Sequence, residues 1–454
     1  MGSNFLLIPL LLVFLSKEQV GLWYVFVAIS GFSQLLEFGF TATLSRNILY
    51  CISGVRRLTK QGCDYNSVAP GIDWHLLRAV LTTSKVIYAV MGIVALGLSA
   101  SLGTVYVYGV TYGFAIEGSL LSWLVFVIAI FTNLYFLYCL TFLRGVGDVA
   151  GENKAKTIAR ISQLFLTAVL LIAGLGLVAA AIGFFIYSFL MRLIAMRQFK
   201  KHSEIQEGLM HDGSAISKEE MLDVLKTISF VAWRDGVVSL AWYGATQAAS
   251  LISSSYLGLE ETATYSVMLQ FASAIYNLSS AYMRSCFPMF QSASVHGDVE
   301  TQRRTVETGI SGYVVLYVCG YVAAALILPL LVIFKKDFIC DQGLFAGIAM
   351  YYFLLNQHSL FCNLIVCMNE IPYFRAYIIS TCCGIALSIL FCGPLQMGPW
   401  GLVLGQALPQ LMYNNWRWPL YVLTRVKTSY FSAIGSGCRW WLTKARTMVS
   451  RNSK

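Results

Sequence analysis

Twelve apolar segments separated by short polar stretches run along the chain of 454 residues. About 20 predominantly apolar residues are enough for a helix to cross a bilayer, and all the segments but the first come near that length. The pattern predicts an all-α integral membrane protein with spans at 4–15, 20–45, 77–102, 118–143, 157–174, 176–196, 227–256, 262–284, 308–334, 343–368, 372–393 and 399–423.

The composition supports this class. Only 12% of the residues are charged, whereas a soluble domain carries about 25%. The net charge of +10 would favour nucleic-acid binding in a soluble protein. Here the basic residues occupy short loops between apolar spans, so we interpret them as orientation signals and expect no nucleic-acid partner. The twelve cysteines lie mostly in apolar segments without a CxxC pattern, which favours small buried residues over disulfides or a metal site.

The lysines and arginines predict the orientation of the spans. Most of the 32 fall on one side of the membrane, whereas the opposite side holds only Lys17, Lys335 and Lys336. By the positive-inside rule, both termini are then cytoplasmic.

A long polar segment, 197–226, lies near the middle of the chain. It predicts a cytoplasmic linker between two lobes of six spans, 1–196 and 227–424, around a central cavity, followed by a basic cytoplasmic tail, 425–454. The "SKEE" at 217–220 has the form of a capping box, so we expect a helix to start at Ser217 and to lead into the seventh span.

A weak internal repeat supports the two-lobed plan. "FLSKEQVGLWYVFV" (14–27) matches "YLGLEETATYSVML" (256–269) at an offset of about 242 positions. Transporters built from repeats place the substrate site at the repeat interface, near the midplane. On this alignment the first helix is about 16 residues shorter than the seventh, which indicates either a misassigned start codon or a short helix.

The first fifty residues resemble the N-terminal region of the Wzx-type O-antigen flippases, members of the multidrug/oligosaccharidyl-lipid/polysaccharide (MOP) exporter superfamily. The matching elements are Pro9, "LS" at 15–16, "GLW" at 21–23, "EFGF" at 37–40 and "SRN" at 45–47. The family more often has Asp where this chain has Glu37. Beyond residue 60 the motif match is loose, although the twelve-helix, two-lobed plan extends over the whole chain.

The resemblance implies a fold similar to that of the multidrug and toxin extrusion (MATE) transporters. It also implies transfer of an undecaprenyl-pyrophosphate-linked oligosaccharide from the cytoplasmic to the periplasmic leaflet of a bacterial inner membrane, by alternating access. It further implies H⁺ or Na⁺ as coupling ion, and a monomer that works with other polysaccharide assembly proteins. Lipid II flippases, a related family, carry an Arg-Asp pair in their first helix; Arg234 and Asp235 form a similar pair in its repeat equivalent.

A pyrophosphate cannot cross hydrocarbon unpaired, so such a flippase needs cationic groups on a wet cavity wall. Arg234 is the predicted head-group ligand, because arginine grips phosphate bidentately, with Asp235 as its gating or charge-balancing partner. Lys85 is a cavity candidate in the third span. Snorkelling to the surface is the alternative for both Arg234 and Lys85. Glu37 is expected to pair with Lys85, Arg234 or another base, as a structural clamp, a gate or a proton-coupling site.

Four further residues complete the candidate cavity. Arg46 and Arg144 are either interface anchors or ligands. His358 lies in the polar "NQHSLFCN" of the tenth span. Arg284 follows Gln270 and Asn277 at a spacing of seven, which predicts a shared helix face. For His358 and Arg284, a cavity wall and hydrogen bonding between packed helices remain open alternatives.

Two other function classes compete with the flippase. A drug or cation antiporter of the same superfamily would share the fold but need an acidic cavity. An enzyme such as an O-antigen polymerase would need a sizeable external segment, whereas the longest external loop is 103–117. No GxxxxGK[ST] or HExxH occurs, so we expect no ATP-driven step, catalytic residue, cofactor or metal. "GVGDVAGENK" (145–154) predicts a turn between the fourth and fifth spans.

Overall fold

A computed structural model describes residues 2–37, 39–58, 70–211, 214–229, 243–244, 248–333, 341–368, 370 and 372–452. Within these ranges the regular secondary structure consists of helices, and no β-strand occurs. The chain divides into two compact units, which we call the N-terminal unit (residues 14–243) and the C-terminal unit (residues 1–13 and 244–454). The predicted bounds of the lobes, linker and tail, and the predicted orientation, remain predictions.

The helices of the N-terminal unit follow the apolar segments. They are α2 (Lys17–Gln34), α3 (Phe40–Ile52), α4 (Trp74–Leu98), α5 (Thr104–Val110), α6 (Ser119–Tyr135), α7 (Leu137–Gly145), α8 (Val149–Ile172), α9 (Leu177–Phe199), α10 (Ser203–His211) and α11 (218–229). A short 3₁₀ turn (Leu35–Glu37) follows α2, and a π-helical segment (Ser99–Gly103) joins α4 to α5.

The C-terminal unit contains the remaining helices, together with α1 (Gly2–Phe14) except for its last residue. They are α12 (Ala248–Tyr256), α13 (Leu259–Ser279), α14 (Ala281–Ser285), α15 (Phe287–Val295), α16 (Val299–Ile327), α17 (Gln342–Cys367), α18 (Phe374–Cys392), α19 (Pro399–Pro409), α20 (Asn415–Arg425) and α21 (Tyr430–Asn452).

Side-chain caps fix where many of these helices begin. Ser16, Asp73, Asp148, Asp298 and Asp341 each accept a hydrogen bond from a backbone N–H of the first turn. Such residues are favoured at the N-cap because they satisfy donors that the helix itself leaves unpaired. Seven helical stretches of the described residues are long and apolar enough to cross a membrane.

The predicted capping box at 217–220 is confirmed. The Ser217 N–H donates to Glu220 Oε2 at 2.8 Å, and the Glu220 N–H donates to Ser217 Oγ at 3.1 Å. A bond between His75 and Glu220 and the two Ser217 bonds hold the pKa of the Glu220 carboxyl below its ordinary value. The turn predicted at 145–154 is confined to 146–148, where Gly147 has a φ of 82°, because Asp148 caps α8 and residues 149–154 are helical.

Three predicted spans contain a local break in the helix, although Ser119–Gly145 as a whole is long and apolar enough to cross a membrane. The span 20–45 breaks after Glu37, where Gly39 has a φ of 72° that glycine adopts without strain. The spans 118–143 and 262–284 break at Phe136 and Ser280, whose ψ angles of −2° and −10° end one helix and begin the next. In addition, the predicted span 157–174 begins earlier, at Val149, because Asp148 caps it.

The offset of the internal repeat recurs at helix ends. Helix α1 ends at Phe14 and α12 at Tyr256, while the N-caps of α2 and α13 are Ser16 and Gly258. The repeat therefore extends beyond the matched letters to the local structure of both segments.

Candidate functional site

Arg234 and Asp235, the pair with the strongest predicted role, lie outside the described residues. The other six candidates are placed by the structure. Lys85, Glu37, Arg46 and Arg144 belong to the N-terminal unit, and Arg284 and His358 to the C-terminal unit.

Glu37 lies at the break between α2 and α3, and its carboxylate accepts a hydrogen bond from the Thr41 N–H. Thr41 Oγ1 is 2.7 Å from the hydroxyl of Tyr88, which is 3.1 Å from Thr141 Oγ1. Tyr88 is fully buried. A polar chain therefore connects the start of α3 to α4 and α7 beside Glu37.

Arg144, at the end of α7, forms a fork-shaped ion pair with Glu152 in the first turns of α8. Arg144 Nε lies 2.9 Å from Glu152 Oε2, and Arg144 Nη2 binds the other carboxylate oxygen. Lys156 contacts the same carboxylate, which is almost fully buried. The charge of Arg144 also acts on Glu37. Arg144 thus has a structural partner, and its role as a substrate ligand remains a prediction.

We expect Arg144→Ala to lower the thermal stability of the protein. Breaking a buried ion pair costs about 3–5 kcal/mol, and the half-exposed guanidinium places the loss at or below the lower end of that range. The melting temperature of purified variants tests this. Adding Glu152→Gln should recover part of the loss, because it removes a buried charge that has lost one of its two cationic partners and keeps only Lys156. An unchanged melting temperature in Arg144→Ala would mean that the pair does not stabilise the fold.

Three cations on the predicted spans of the N-terminal unit lie over aromatic rings. Lys85 Nζ is 6.0 Å from the ring centroid of Phe142, Arg160 Cζ is 4.1 Å from that of Tyr187, and Arg192 Cζ is 4.6 Å from that of Phe136. Among the described residues, no carboxylate oxygen lies within 4.0 Å of these three cations. Their charges are therefore held by π faces rather than by acids in this part of the chain.

Helix α7 joins two of these cations. The rings under Lys85 and Arg192, Phe142 and Phe136, both belong to α7 or its N-cap. Lys85 is exposed and Arg192 half-buried. A cationic surface thus follows α7 from α9 to α4.

The predicted spans 157–174 and 176–196 put Arg160 close to the start of one span and Arg192 close to the end of the other. The structure places Arg160 eleven residues into α8, about 16 Å along the helix axis. The Asp148 cap could have revealed this, because Asp before an apolar-periodic segment marks a helix start. The aromatic rings that Arg160 and Arg192 contact, in contrast, belong to other helices, so the sequence around each arginine does not reveal them.

His358 is fully buried on α17. Its Nδ1 lies 2.8 Å from Asn415 Oδ1 on α20, and its ring centroid is 5.8 Å from that of Tyr377 on α18. The neighbouring Gln357 accepts a hydrogen bond from the hydroxyl of Tyr430 at 2.9 Å. The polar face of α17 therefore hydrogen-bonds α20 and α21, which supports the interhelical alternative. A cavity role for His358 remains a prediction.

Arg284 and Arg46 are both exposed. Arg284 Cζ lies 4.9 Å from the ring centroid of Tyr276. The break at Ser280 puts Arg284 on α14, whereas Gln270 and Asn277 belong to α13, so one continuous helix does not carry all three. The predicted roles of Arg46 and Arg284 are not tested by these contacts.

Comparisons with known proteins give a fold but no sequence family. No family model and no curated protein matches the chain. Among solved structures, the chain is similar to an inward-facing multidrug-resistance transporter of the MATE family, from the MOP superfamily, with a TM-score of 0.62 and 14% identity over 94% of this chain and 99% of that one.

Two further structures agree. The lipid II flippase MurJ matches with a TM-score of 0.60 and 14% identity over 92% of this chain and 87% of MurJ. A MATE transporter of Vibrio cholerae matches with a TM-score of 0.58 and 14% identity over 94% and 93%. The predicted fold class is confirmed: the chain is an all-α protein with the fold of MOP-superfamily transporters.

Proposed function

We propose that this chain is a flippase that moves an undecaprenyl-pyrophosphate-linked oligosaccharide from the cytoplasmic to the periplasmic leaflet of a bacterial inner membrane by alternating access. The fold supports transport across a membrane, and it occurs both in multidrug transporters and in a lipid II flippase. The choice of an anionic lipid-linked substrate depends on the charges of this chain.

The observation that carries the proposal is the set of three ring-supported cations, Lys85, Arg160 and Arg192. Placing a cation in a membrane segment costs free energy, so such residues mark functional sites by default. Substrate pyrophosphate supplies the negative charge that the described residues do not. Arginine suits this work because its planar guanidinium stays charged and can bind two phosphate oxygens at once.

The aromatic rings have a second role in this proposal. Each cation–π contact is worth about 0.5–2 kcal/mol, depending on how far the pair is desolvated. That is enough to position a cation without neutralising it. An ion pair would position the cation as well, but it would have to break before pyrophosphate could bind. Ring-supported cations therefore fit a substrate that binds and leaves in each cycle.

An antiporter of drugs or cations is the second candidate, favoured by Glu37. This acid lies at a helix break within a candidate span, where a carboxylate could exchange H⁺ or Na⁺. A cationic substrate would need acids in the spans, however, and the single acid Glu37 is outnumbered by the three ring-supported cations in the predicted spans of the same unit. We therefore retain Glu37 as a coupling residue and place the antiporter second.

Deleting the gene in its own host tests the function. We expect lipid-linked oligosaccharide to accumulate facing the cytoplasm and surface polysaccharide to fall, with both restored by a plasmid copy. Susceptibility to cationic drugs should stay within twofold of the parent strain. Unchanged surface polysaccharide together with increased drug susceptibility would instead identify an antiporter.

A further inference from the structure

An open polar cavity of about 670 Å³ lies between α16, the end of α20 and the start of α21. It is lined by two cations, Arg303 and Lys427, and by hydroxyl groups that include Thr424, Ser432 and Ser436. It belongs wholly to the C-terminal unit and shares no residue with the cations discussed above. By the positive-inside rule it is predicted to face the cytoplasm.

The hydroxyl groups come from two directions. Ser429, Ser432 and Ser436 recur at the spacing that places side chains on one face of α21. Thr424 and Thr428 lie at the end of α20 and just after it. Each hydroxyl can donate one hydrogen bond, and Thr424 and Thr428 give theirs to the Leu420 oxygen and to Glu307, so the donors that the cavity offers come from the serines of the α21 wall.

One acid, Glu307, also lines the cavity, so its charged lining residues, Arg303, Lys427 and Glu307, sum to one positive charge. Glu307 lies 4.0 Å from Arg303 Nε, and Arg303 further binds Glu300 at 2.6 Å. Lys427 is exposed on the opposite wall, and no carboxylate of the described residues lies within 4.0 Å of its ammonium. The cavity therefore offers a lysine charge together with hydroxyl donors.

The backbone of Lys427 is in a strained conformation. Helix α20 ends in a Schellman motif: the Lys427 N–H donates to the Thr424 oxygen and the Thr428 N–H to the Leu423 oxygen. Glycine usually occupies the central position of this motif, because its φ is positive. Lys427 has a φ of 55°, a conformation that strains the backbone of any residue other than glycine.

We propose that this cavity binds a phosphate group, with Lys427 and the hydroxyls of Ser432 and Ser436 as ligands. Lysine binds phosphate as a point charge, and hydroxyl donors satisfy the remaining oxygens. The group can belong to a soluble phosphate compound or to the head group of an anionic lipid, since both present the same oxygens. The inference does not depend on the proposed transport activity.

Binding to the purified full-length chain in detergent tests the proposal in two arms. The soluble arm titrates inorganic pyrophosphate by calorimetry. The lipid arm counts bound phosphatidylglycerol, against phosphatidylcholine, by native mass spectrometry. The test variant combines Lys427→Gly, which relieves the backbone strain and so protects folding, with Ser432→Ala. Arg439→Ala is the matched control, because Arg439 is exposed on α21 and does not line the cavity.

We expect the test variant to bind at least tenfold more weakly in one or both arms, and the control to stay within twofold of wild type. A loss in the soluble arm alone identifies a free phosphate compound, and a loss in the lipid arm alone identifies a head group. No binding by wild type in either arm, wild-type binding by the test variant, or an equal loss in Arg439→Ala would each overturn the proposal.

Discussion

Replacing Lys85 and Arg192 together by alanine is expected to lower transport of the lipid-linked oligosaccharide by at least a hundredfold. A hydrogen bond to a charged group is worth about 1.5–3 kcal/mol, and about 1.4 kcal/mol corresponds to a factor of ten. Both cations lie over rings contributed by α7 and its N-cap, and we propose that one pyrophosphate binds both. The measurement is surface polysaccharide in cells that carry only the variant, at matched protein levels.

Conservative variants separate charge from structure in this experiment. Lys85→Arg with Arg192→Lys keeps both charges, so it should retain at least a tenth of the activity. Arg197→Ala is the control for a lost arginine on α9, because Arg197 is exposed near the end of that helix. Wild-type polysaccharide levels in the double alanine variant would remove the two cations from the proposed substrate site.

Arg234→Ala is expected to have the second large effect, a loss of surface polysaccharide of at least tenfold. The argument comes from sequence, because Arg234 lies outside the described residues. An arginine in a span costs about 2.5–3.5 kcal/mol on insertion scales. That cost is understandable if the guanidinium binds pyrophosphate bidentately. Surface polysaccharide and protein level are measured in the same cells.

Arg234→Lys should give an intermediate loss, since lysine keeps the charge but not the two-pronged geometry. Asp235→Asn should keep substrate affinity and slow the cycle, because Asp235 is the proposed gating partner. Normal surface polysaccharide in Arg234→Ala, at wild-type protein level, would show that Arg234 is not a head-group ligand.

The fold class was predictable because apolar segments and caps are local signals. Helices occupy most of the described part of each predicted span, and the turn at 146–148 and the cap at Ser217 follow from a few neighbouring residues. The breaks at Phe136 and Ser280 were missed, because neither residue is a strong helix breaker. The helix α21 was also missed: it packs on α16, where Trp441 Nε1 donates to the Thr308 oxygen at 3.1 Å.

The candidate site was predictable only in part. Charge in an apolar segment singled out Lys85, Glu37 and His358 from sequence. Their partners could not be predicted, because each contact joins distant parts of the chain: Phe142 lies under Lys85, and Asn415 binds His358. The ion pair of Arg144 with Glu152 could not be predicted either, because the identity of a carboxylate partner depends on how two helices pack together.

Transport by the purified chain in vesicles tests the central claim most directly. Vesicles would contain a fluorescent undecaprenyl-pyrophosphate-linked oligosaccharide in both leaflets, and a membrane-impermeant quencher would report which molecules cross. We predict complete quenching in vesicles that contain the wild-type chain. In vesicles without protein, and in vesicles that contain the Lys85→Ala/Arg192→Ala variant, we predict that only half of the fluorescence is quenched. Half quenching with the wild-type chain, in vesicles where the same preparation exchanges a cationic drug for protons, would contradict the flippase and favour the antiporter.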